Sequence, residues 1–431
     1  MRILVLGSGA REHALCWRLS LEPGVEVICA PGNPGIARTT DVISVDPVQP
    51  QAVMALADRL QADLTVVGPE APLASGIADY FQQHGRLLFG PTRAAAQLET
   101  SKAFAKDFMA RHGVPTGRYR VCQSADEALN VVRSGEFGEA TVVKADGLAA
   151  GKGVVVAPDR RSAENAIRAA MLDRAFGEAG TRVVLEECLH GPEVSFFVIA
   201  DGTAFRALLT AQDHKRVFDN DLGPNTGGMG AFCPSPLVDA SLQAQIERDV
   251  VMPVLEGMQA EGHPFRGFLY CGLMLTATGP RVIEFNVRFG DPEAQVVLPL
   301  VVEPLAPLLL AAAQGRLGEL LPNSLSTPRR DQECAVGVVL AAEGYPGVVK
   351  TGSALRGLDH LAHEYPDVLA FFAGVTSSND HLVTAGGRVM TLVARAGSYQ
   401  AAIDRVYDAI DRVGFEGVQF RRDIGRKAVT T

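Results

Sequence analysis

Cysteine is scarce and scattered. The seven cysteines among 431 residues form no CxxC pair and no zinc spacing, which argues against a disulfide framework and predicts reduced, mostly buried thiols. Positive charge is in deficit: 40 Lys and Arg stand against 49 Asp and Glu, a formal net charge of −9. A nucleic-acid partner, whose phosphates require a basic surface, is therefore not expected. A small phosphorylated substrate remains open, since a local cluster of donors serves it. No long uninterrupted apolar run occurs either. The most apolar stretch, VVLPLVVEPLAPLLLAAA, carries Glu303, Pro299, Pro304 and Pro307, which suits a proline-punctuated helix or buried loop and not a membrane span. The N-terminus reaches Arg11 and Glu12 too soon for a signal peptide. The expectation is a soluble cytoplasmic protein, too long for one core and divided into about two to four domains.

What is present has a clear order. RILVLG, VEVICAP, ADLTVVGPE and RLLFGP are short apolar runs, each followed by a Gly- or Pro-bearing turn, with helical patterns such as PQAVMALADRLQ and ASGIADYFQQHG between them. Alternating strand, turn and helix predicts a parallel α/β sheet over residues 1 to about 100, with ligands at the carboxyl ends of its strands. A helix is expected from Thr100 to a glycine stop at Gly113. FLYCGLMLTATGPRVIEFNV reads as a hairpin turning at Gly279 and Pro280. The polar GELLPNSLSTPRRDQE is a linker to a third, smaller domain, in which CAVGVVLAAEGYPG, VLAFFAGV and RVMTLVARAG read as strands and SYQAAIDRVYDAIDRVG as an amphipathic helix. The spans expected are 1–101, 102–318 with a lid lobe at about 116–191, and 327–426.

Several stretches can carry chemistry. GSGAREH ends the first strand, and Gly7 and Gly9 allow a tight turn whose N–H groups can hold a phosphate; a purely structural turn is the alternative. It is not a dinucleotide fingerprint, because Glu12 stands where a third glycine belongs and Ala30 and Pro31 where an acid belongs. In VVKADGLAAGKGV, Lys144 ends an apolar strand and Gly147, Gly151 and Gly153 form a loop that also carries Lys152. No Lys-Ser/Thr pair makes this a P-loop, and it reads as a hairpin able to close over a triphosphate. VVLEECLHGPE delivers Glu186, Glu187, Leu189 and Glu193 at a strand end, where acids are usually solvated unless they edge a nucleotide.

AQDHKRVFDNDLGPNTGGMGAF is polar and aperiodic, and loops of such length in compact enzymes are usually functional. Asp213, His214, Lys215 and Arg216 stand at its mouth, and Gly227, Gly228 and Gly230 permit close backbone approach. In IEFNVRFGDPEAQ, Glu284, Asn286 and Arg288 alternate with apolar residues and so share a strand face. A carboxylate and an amide oxygen are hard ligands suited to magnesium shared with phosphates, and a guanidinium can grip a carboxylate or phosphate with two hydrogen bonds. The bland reading of that face is the wet side of an amphipathic strand. His360 and His363 read as surface residues, and no GxSxG or Cys/His arrangement offers a nucleophile.

Taken in order, GSGAREHAL, VGPEAPL, FGPT, LETSKAFAKDFM, VVKADGLAAGKGV, DHKRVFDNDLGPNTGGMGA and EFNVRFGDPEAQ resemble the motifs of the ATP-grasp ligases. Over nearly the whole chain the resemblance is specifically to the phosphoribosylamine–glycine ligases (glycinamide ribonucleotide synthetases) of purine biosynthesis. Val287 departs from the pattern, where relatives often carry cysteine. The resemblance implies an α/β multidomain fold: an N-terminal parallel α/β (pre-ATP-grasp) domain, a two-lobed ATP-grasp domain with a lid, and a small C-terminal α+β domain. It implies a reaction in which ATP, glycine and 5-phosphoribosylamine give ADP, phosphate and glycinamide ribonucleotide through a glycyl phosphate, with magnesium or manganese as cofactor.

Carried onto this sequence, the resemblance assigns ATP to Lys102, Lys144, the glycine loop Gly147, Gly151, Lys152 and Gly153, the strand end Glu186, Glu187 and Leu189, and Glu193 for the ribose. It assigns the metal to Glu284 and Asn286, and glycine to Arg288 and Asp213, which with Lys144 are the expected catalytic groups. The acceptor is expected near Gly9, Arg11, Glu12, Asn225, Thr226, Gly227 and Gly228, and the turn carrying Gly290 and Asp291 is expected to shape the glycine pocket. The partners implied are small molecules, and the chain is expected to be a monomer. The alternatives are another ATP-grasp carboxylate–amine ligase or biotin-dependent carboxylating member, which would not need the GPNTGGMG loop, and a catalytically silent nucleotide-binding or scaffolding protein, which would lack the cations and metal ligands present here.

Overall fold

The computed structural model describes residues 1–148, 153–320, 333–379 and 381–430; most of the expected linker GELLPNSLSTPRRDQE lies outside them. Each N-terminal apolar run is a parallel strand, in the order Asp41–Val42, Glu26–Pro31, Arg2–Gly7, Leu64–Val67, Leu88–Phe89. Ile3 to Leu6 are wholly buried, as a central parallel strand covered on both faces requires. The helix Ala10–Ser20 follows the first strand directly, which puts the GSGAREH turn at the carboxyl edge of the sheet. ASGIADYFQQHG divides at Gly76, φ +87, into the ends of two short helices.

The next unit has two lobes. The lid lobe is an antiparallel sheet in the order Tyr119–Cys122, Val183–Glu187, Thr141–Ala145, Val154–Ala157. The helices Ala125–Ser134 and Arg160–Met171 cover it, N-capped by Ser124 and Asp159. This lobe closes on its own core around Cys122, Leu129, Val143, Ile167 and Leu185. The larger lobe is the antiparallel sheet Phe205–Ala207, Glu193–Asp201, Arg266–Thr276, Gly279–Asn286. Its last hairpin turns at Ala277 and Thr278, two residues before the Gly-Pro pair expected to form the turn. Thr276 Oγ1 accepts the Thr278 N–H (3.2 Å) and donates to the Gly279 carbonyl (2.8 Å), and Pro280 is tolerated because this is an edge strand. The helix expected from Thr100 is split at Ser101, which caps Lys102–Arg111 by accepting the Phe104 N–H (3.1 Å).

The C-terminal sheet runs Gln212–Asp213, Gly230–Cys233, Cys334–Ala341, Arg388–Ala396, Leu369–Phe372, with the helix Tyr399–Ile410 packed on it. Its first two strands come from AQDHKRVFDNDLGPNTGGMGAF, so that stretch is not the irregular loop expected. It also holds the hairpin Arg216–Phe218 with Leu222–Asn225; pairings this short and polar leave no alternation to read. Edge-to-face and tilted contacts of Phe268 with Phe89 (4.9 Å) and Phe289 (4.8 Å) pack the N-terminal sheet on the larger lobe. The apolar run near residue 300 breaks into Glu293–Val297, a short turn and Leu305–Gln314, and no described helix is long and apolar enough to cross a membrane.

Candidate active site

Where the lid sheet faces the strand Gly279–Asn286, a cavity of about 630 Å³ is lined from every part of the chain: Arg11 and Glu70, Lys144 and Glu187, Glu284 and Arg288, and Arg388 from the C-terminal sheet.

One half is a lysine-rich slot. Lys144, at the end of its strand, reaches across to the Ile283 carbonyl (2.9 Å) and pairs with Glu186 Oε1 (2.8 Å). Glu186 Oε2 pairs with Lys106 (2.7 Å). Glu186 is therefore buried between two ammonium groups, and its side chain is not free to read a base. Glu187 turns to the Arg118 N–H and guanidinium (2.8 Å each). What remains for a planar ring is the backbone edge from Glu187 to Leu189 and an apolar lining that includes Met109, Val142 and Met274. Lys102 donates to the Gly147 carbonyl (2.9 Å); burial lowers its pKa, opposed by Glu284. Burial brings Lys106 down to about 8 despite Glu186. Asp146, next to the glycine loop, is pinned by Arg182 and accepts the Ala103 N–H (3.0 Å). Gly147 and Gly153 line the cavity; Gly151 and Lys152 lie outside the described residues.

The wall between the halves is the alternating strand. Burial would raise Glu284, but Lys215, Lys144, Lys102 and Arg288 outweigh it and hold its carboxyl below the ordinary range. With its amide nitrogen assigned toward Glu99 Oε1 (3.1 Å) and the Phe285 carbonyl (3.2 Å), Asn286 turns its oxygen to a side that presents donors. An ionised carboxylate beside an amide oxygen so directed fits a divalent cation. Among the described residues no group of three His, Cys, Asp or Glu could hold one alone, so phosphate and water must complete the shell. Arg288 is clamped by Glu70 (3.1 Å) and Glu99 (3.0 Å) and donates to the Phe289 carbonyl (3.0 Å). These carboxylates press its pKa further up, and two of its five N–H groups stay available.

The other half is acidic with one central cation. Lys215 lies between Glu193 (3.1 Å) and Glu284 (3.6 Å); burial disfavours its charge, but Glu193 and Asp213 outweigh burial and hold it protonated. Burial lifts Asp213 to about 7 against the pull of Lys215. Glu293, also raised by burial, accepts from Ser195 Oγ (3.1 Å). Asn225, Thr226, Gly227, Gly290 and Asp291 line this end. Arg388 fastens it by donating to the carbonyls of Gly227 (2.7 Å) and Asp291 (2.9 Å) and pairing with Asp291 Oδ2 (3.1 Å). Tyr345 accepts the Gly227 N–H (2.9 Å).

Three expected residues stand behind the lining. Glu12 is turned inward, accepting the Gly9 N–H (2.7 Å) and pairing with Arg11. A Cβ on Gly7 or Gly68 would strike it, so those glycines make room for Glu12. Gly9 lies in that same turn, and Gly228, at φ +112, abuts Pro292 where any side chain would collide. The residues that motif reading does not single out are Lys106, Glu70, Glu99, Glu293, Tyr345 and Arg388, and Lys215 is named at the loop's mouth without a role. Lys106 was available from helical spacing, one turn after Lys102. Tyr345 and Arg388 carry no local signal.

Comparison with known proteins gives a consistent picture. Family models for phosphoribosylglycinamide synthetase match in three pieces: the N domain at residues 1–99, the ATP-grasp (A) domain at 100–294 and the C domain at 335–427. A phosphoribosylamine–glycine ligase of Streptomyces coelicolor is 49% identical over 430 residues, covering 99% of each chain. One from Ralstonia nicotianae is 46% identical over 431 residues, covering 100% of each. The crystal structure of phosphoribosylamine–glycine ligase from Thermotoga maritima superposes with TM-score 0.85 at 32% identity, covering 98% of this chain and 100% of that one. A biotin carboxylase from Campylobacter jejuni, 17% identical with TM-score 0.72 over 99% of this chain and 93% of its own, shares the fold.

Proposed function

The chain belongs to the phosphoribosylglycinamide synthetase family and is an ATP- and divalent-metal-dependent ligase of purine biosynthesis that joins glycine to 5-phosphoribosylamine; on that premise we propose which residues do each part of the work. Adenine enters the apolar slot against the backbone edge from Glu187 to Leu189, with the ribose at Glu193. The phosphates lie over Lys102 and Lys144, under the loop that includes Gly147 and Gly153. Glu284 and Asn286 are the protein ligands of the divalent ion, read as magnesium with manganese as substitute; bound there, it neutralises phosphate charge.

Glycine's carboxylate is held by the free edge of Arg288 and its ammonium by Asp213. A carboxylate oxygen attacks the γ-phosphorus and the bond to the ADP oxygen breaks, leaving a glycyl phosphate. The amine nitrogen of the ribosylamine then attacks the acyl carbon and phosphate departs as the amide forms. Two anions must meet in the first step, so cations placed beforehand supply much of the stabilisation. An acyl phosphate is lost to water, which gives lid closure its purpose. The observation that carries this reading is the convergence of Lys144, Lys215 and Arg288 around Glu284 in a single cavity.

A coupled assay of ADP release tests it: full turnover should require glycine, the ribosylamine and the metal together. ADP release indifferent to the ribosylamine, or equal efficiency with a larger amino acid, would overturn it. The enzyme is read as a cytoplasmic monomer, supported by seven free cysteines, six of them buried, and by a cavity that one chain completes; sedimentation velocity at assay concentration checks the latter.

A further inference from the structure

The hairpin Arg216–Phe218 with Leu222–Asn225, which leads into the acceptor loop, has almost no apolar anchorage. Phe218 and Leu222 are 57% and 61% exposed, and Val217 is its one buried residue. The turn joining its strands holds two successive non-glycine residues in left-handed backbone, Asn220 at φ +58 and Asp221 at φ +54. Such a conformation persists only where surrounding structure imposes it.

Here the C-terminal tail imposes it. Arg421, 1% exposed, donates to the Arg216 carbonyl (3.0 Å), to Asp221 Oδ1 (2.9 Å) and to both oxygens of Asp423 (2.8 and 2.6 Å). Asp423 Oδ2 accepts the Asn220 N–H (2.9 Å), the Arg422 N–H goes to Asp219 Oδ1 (2.7 Å), and Lys427 pairs with Asp221 Oδ2 (2.7 Å). Tyr407 fixes the tail itself, donating to the Arg421 carbonyl (2.8 Å) and accepting the Ile424 N–H (3.1 Å). A buried guanidinium is tolerated only when its donors are met. These donors are met by the hairpin and the tail together, so the clasp holds as a unit.

The hairpin is flanked by the acceptor half of the cavity. Asp213 and Lys215 precede it, and Asn225, Thr226 and Gly227 end and follow it. Thr226 donates from both N–H (2.7 Å) and Oγ1 (2.8 Å) to the Lys215 carbonyl, so the two flanks move together. No residue of the lysine-rich slot belongs to this unit. We infer that Arg421 and Asp423 are positioning residues for the two acceptor-side substrates: through the hairpin they set where the Lys215 carbonyl and Thr226–Gly227 stand, while the Lys215 ammonium stays held by Glu193 and Glu284, and so they set the affinity for glycine and the ribosylamine without touching either. The inference rests on the acceptor-side assignment proposed above.

The test measures kcat, the KM of each of the three substrates and Tm for Arg421→Gln, Asp423→Asn and the conservative Arg421→Lys. Arg421→Gln should raise the KM values for glycine and the ribosylamine about tenfold or more while that for ATP stays within about twofold, since small misplacement of a binding group is costly. Arg421→Lys should recover part of the loss, and Arg421→Gln combined with Asp221→Asn should be far from additive. Acceptor KM values unchanged in a folded variant, or an ATP KM rising in step with them, would overturn the inference. Should Arg421→Gln not fold, Asp219→Ala at the exposed rim replaces it, with a rise of about two- to threefold expected in the same two constants and none counting against the clasp. Wild-type ADP release that ignores glycine and the ribosylamine would instead defeat the functional reading.

Discussion

The two halves of the cavity are assembled differently. Lys102, Lys106, Lys144 and Glu186 all belong to one stretch of chain, and the pairs among them link one helix to two neighbouring strands. The acceptor half combines Arg11 and Glu70, the strands and loop from Asp213 to Gly227, Arg288 to Glu293, and Arg388 with Tyr345. A half drawn mostly from residues 102–189 depends on one helix, its neighbouring strands and the ion pairs between them, with Lys144 anchored to the Ile283 carbonyl. A half built from distant segments exists only as well as the domains dock, so damage far from the reactants should reach it and leave the nucleotide side untouched.

Glu284 belongs to the wall between them, and its loss should be the most severe. Glu284→Ala should lower turnover on the order of 10³-fold, the scale of removing a preorganised charge from a reacting centre, with circular dichroism and Tm near those of the wild type. Turnover retained at saturating metal would place the cation elsewhere.

The docking of the N-terminal helix on the C-terminal sheet offers the next largest effect. His13 Nδ1 accepts the Phe372 N–H (2.9 Å) and its ring stacks on Phe372 (5.8 Å), while burial lowers its pKa from 6.5 to about 4. The unfolded chain thus binds the extra proton between those values. The associated stability is whole above pH 6.5 and declines on acidification, by about 3 kcal/mol as pH reaches 4. Urea midpoints between pH 7 and 4 should fall more steeply for the wild type than for His13→Gln; parallel curves would remove His13 from the account.

Arg388→Ala sharpens the contrast directly. It frees the carbonyls of Gly227 and Asp291 and leaves the Asp291 carboxylate without its cation. The expected loss is about 30-fold in kcat/KM toward the ribosylamine, as for truncating a largely buried charged hydrogen-bonding group, with the ATP KM unchanged.

The same contrast decides what could be read from sequence. Lys144 at a strand end, and Glu284 with Asn286 two residues apart, were visible because strand periodicity dictates which side chains share a face. The parallel N-terminal sheet was visible for a similar reason. The motif position of Glu12 suggests a ligand contact, whereas the hollow that Gly7 and Gly68 leave for its side chain is not readable from the motif. The short pairings within residues 212–233 were hidden because two- to four-residue strands show no alternation, and their partner strand, Cys334–Ala341, lies a hundred residues on. Arg388 opens an ordinary apolar strand; only the docking of that strand beside the Asp291 turn makes it part of the site.

Tyr345→Phe should have the smallest effect and so tests how finely the distant half is adjusted. The tyrosine comes from the C-terminal domain, and its hydroxyl is the acceptor for the Gly227 N–H (2.9 Å). Deleting one oxygen leaves the ring in place and the N–H partly open to solvent, so the loss should be near that of one neutral hydrogen bond, about 1 kcal/mol. That corresponds to a rise of about fivefold in the KM for the ribosylamine. The constants for ATP should not move, because among the described residues no hydrogen bond or ion pair links Tyr345 to the lysine-rich slot. Since Arg388 holds the same peptide from its carbonyl side (2.7 Å), Tyr345→Phe combined with Arg388→Ala should cost less than the two separately, the signature of two groups acting on one loop. Strict additivity would mean that they position different parts of the acceptor, and the picture of a single loop fastened from the C-terminal domain would have to be abandoned.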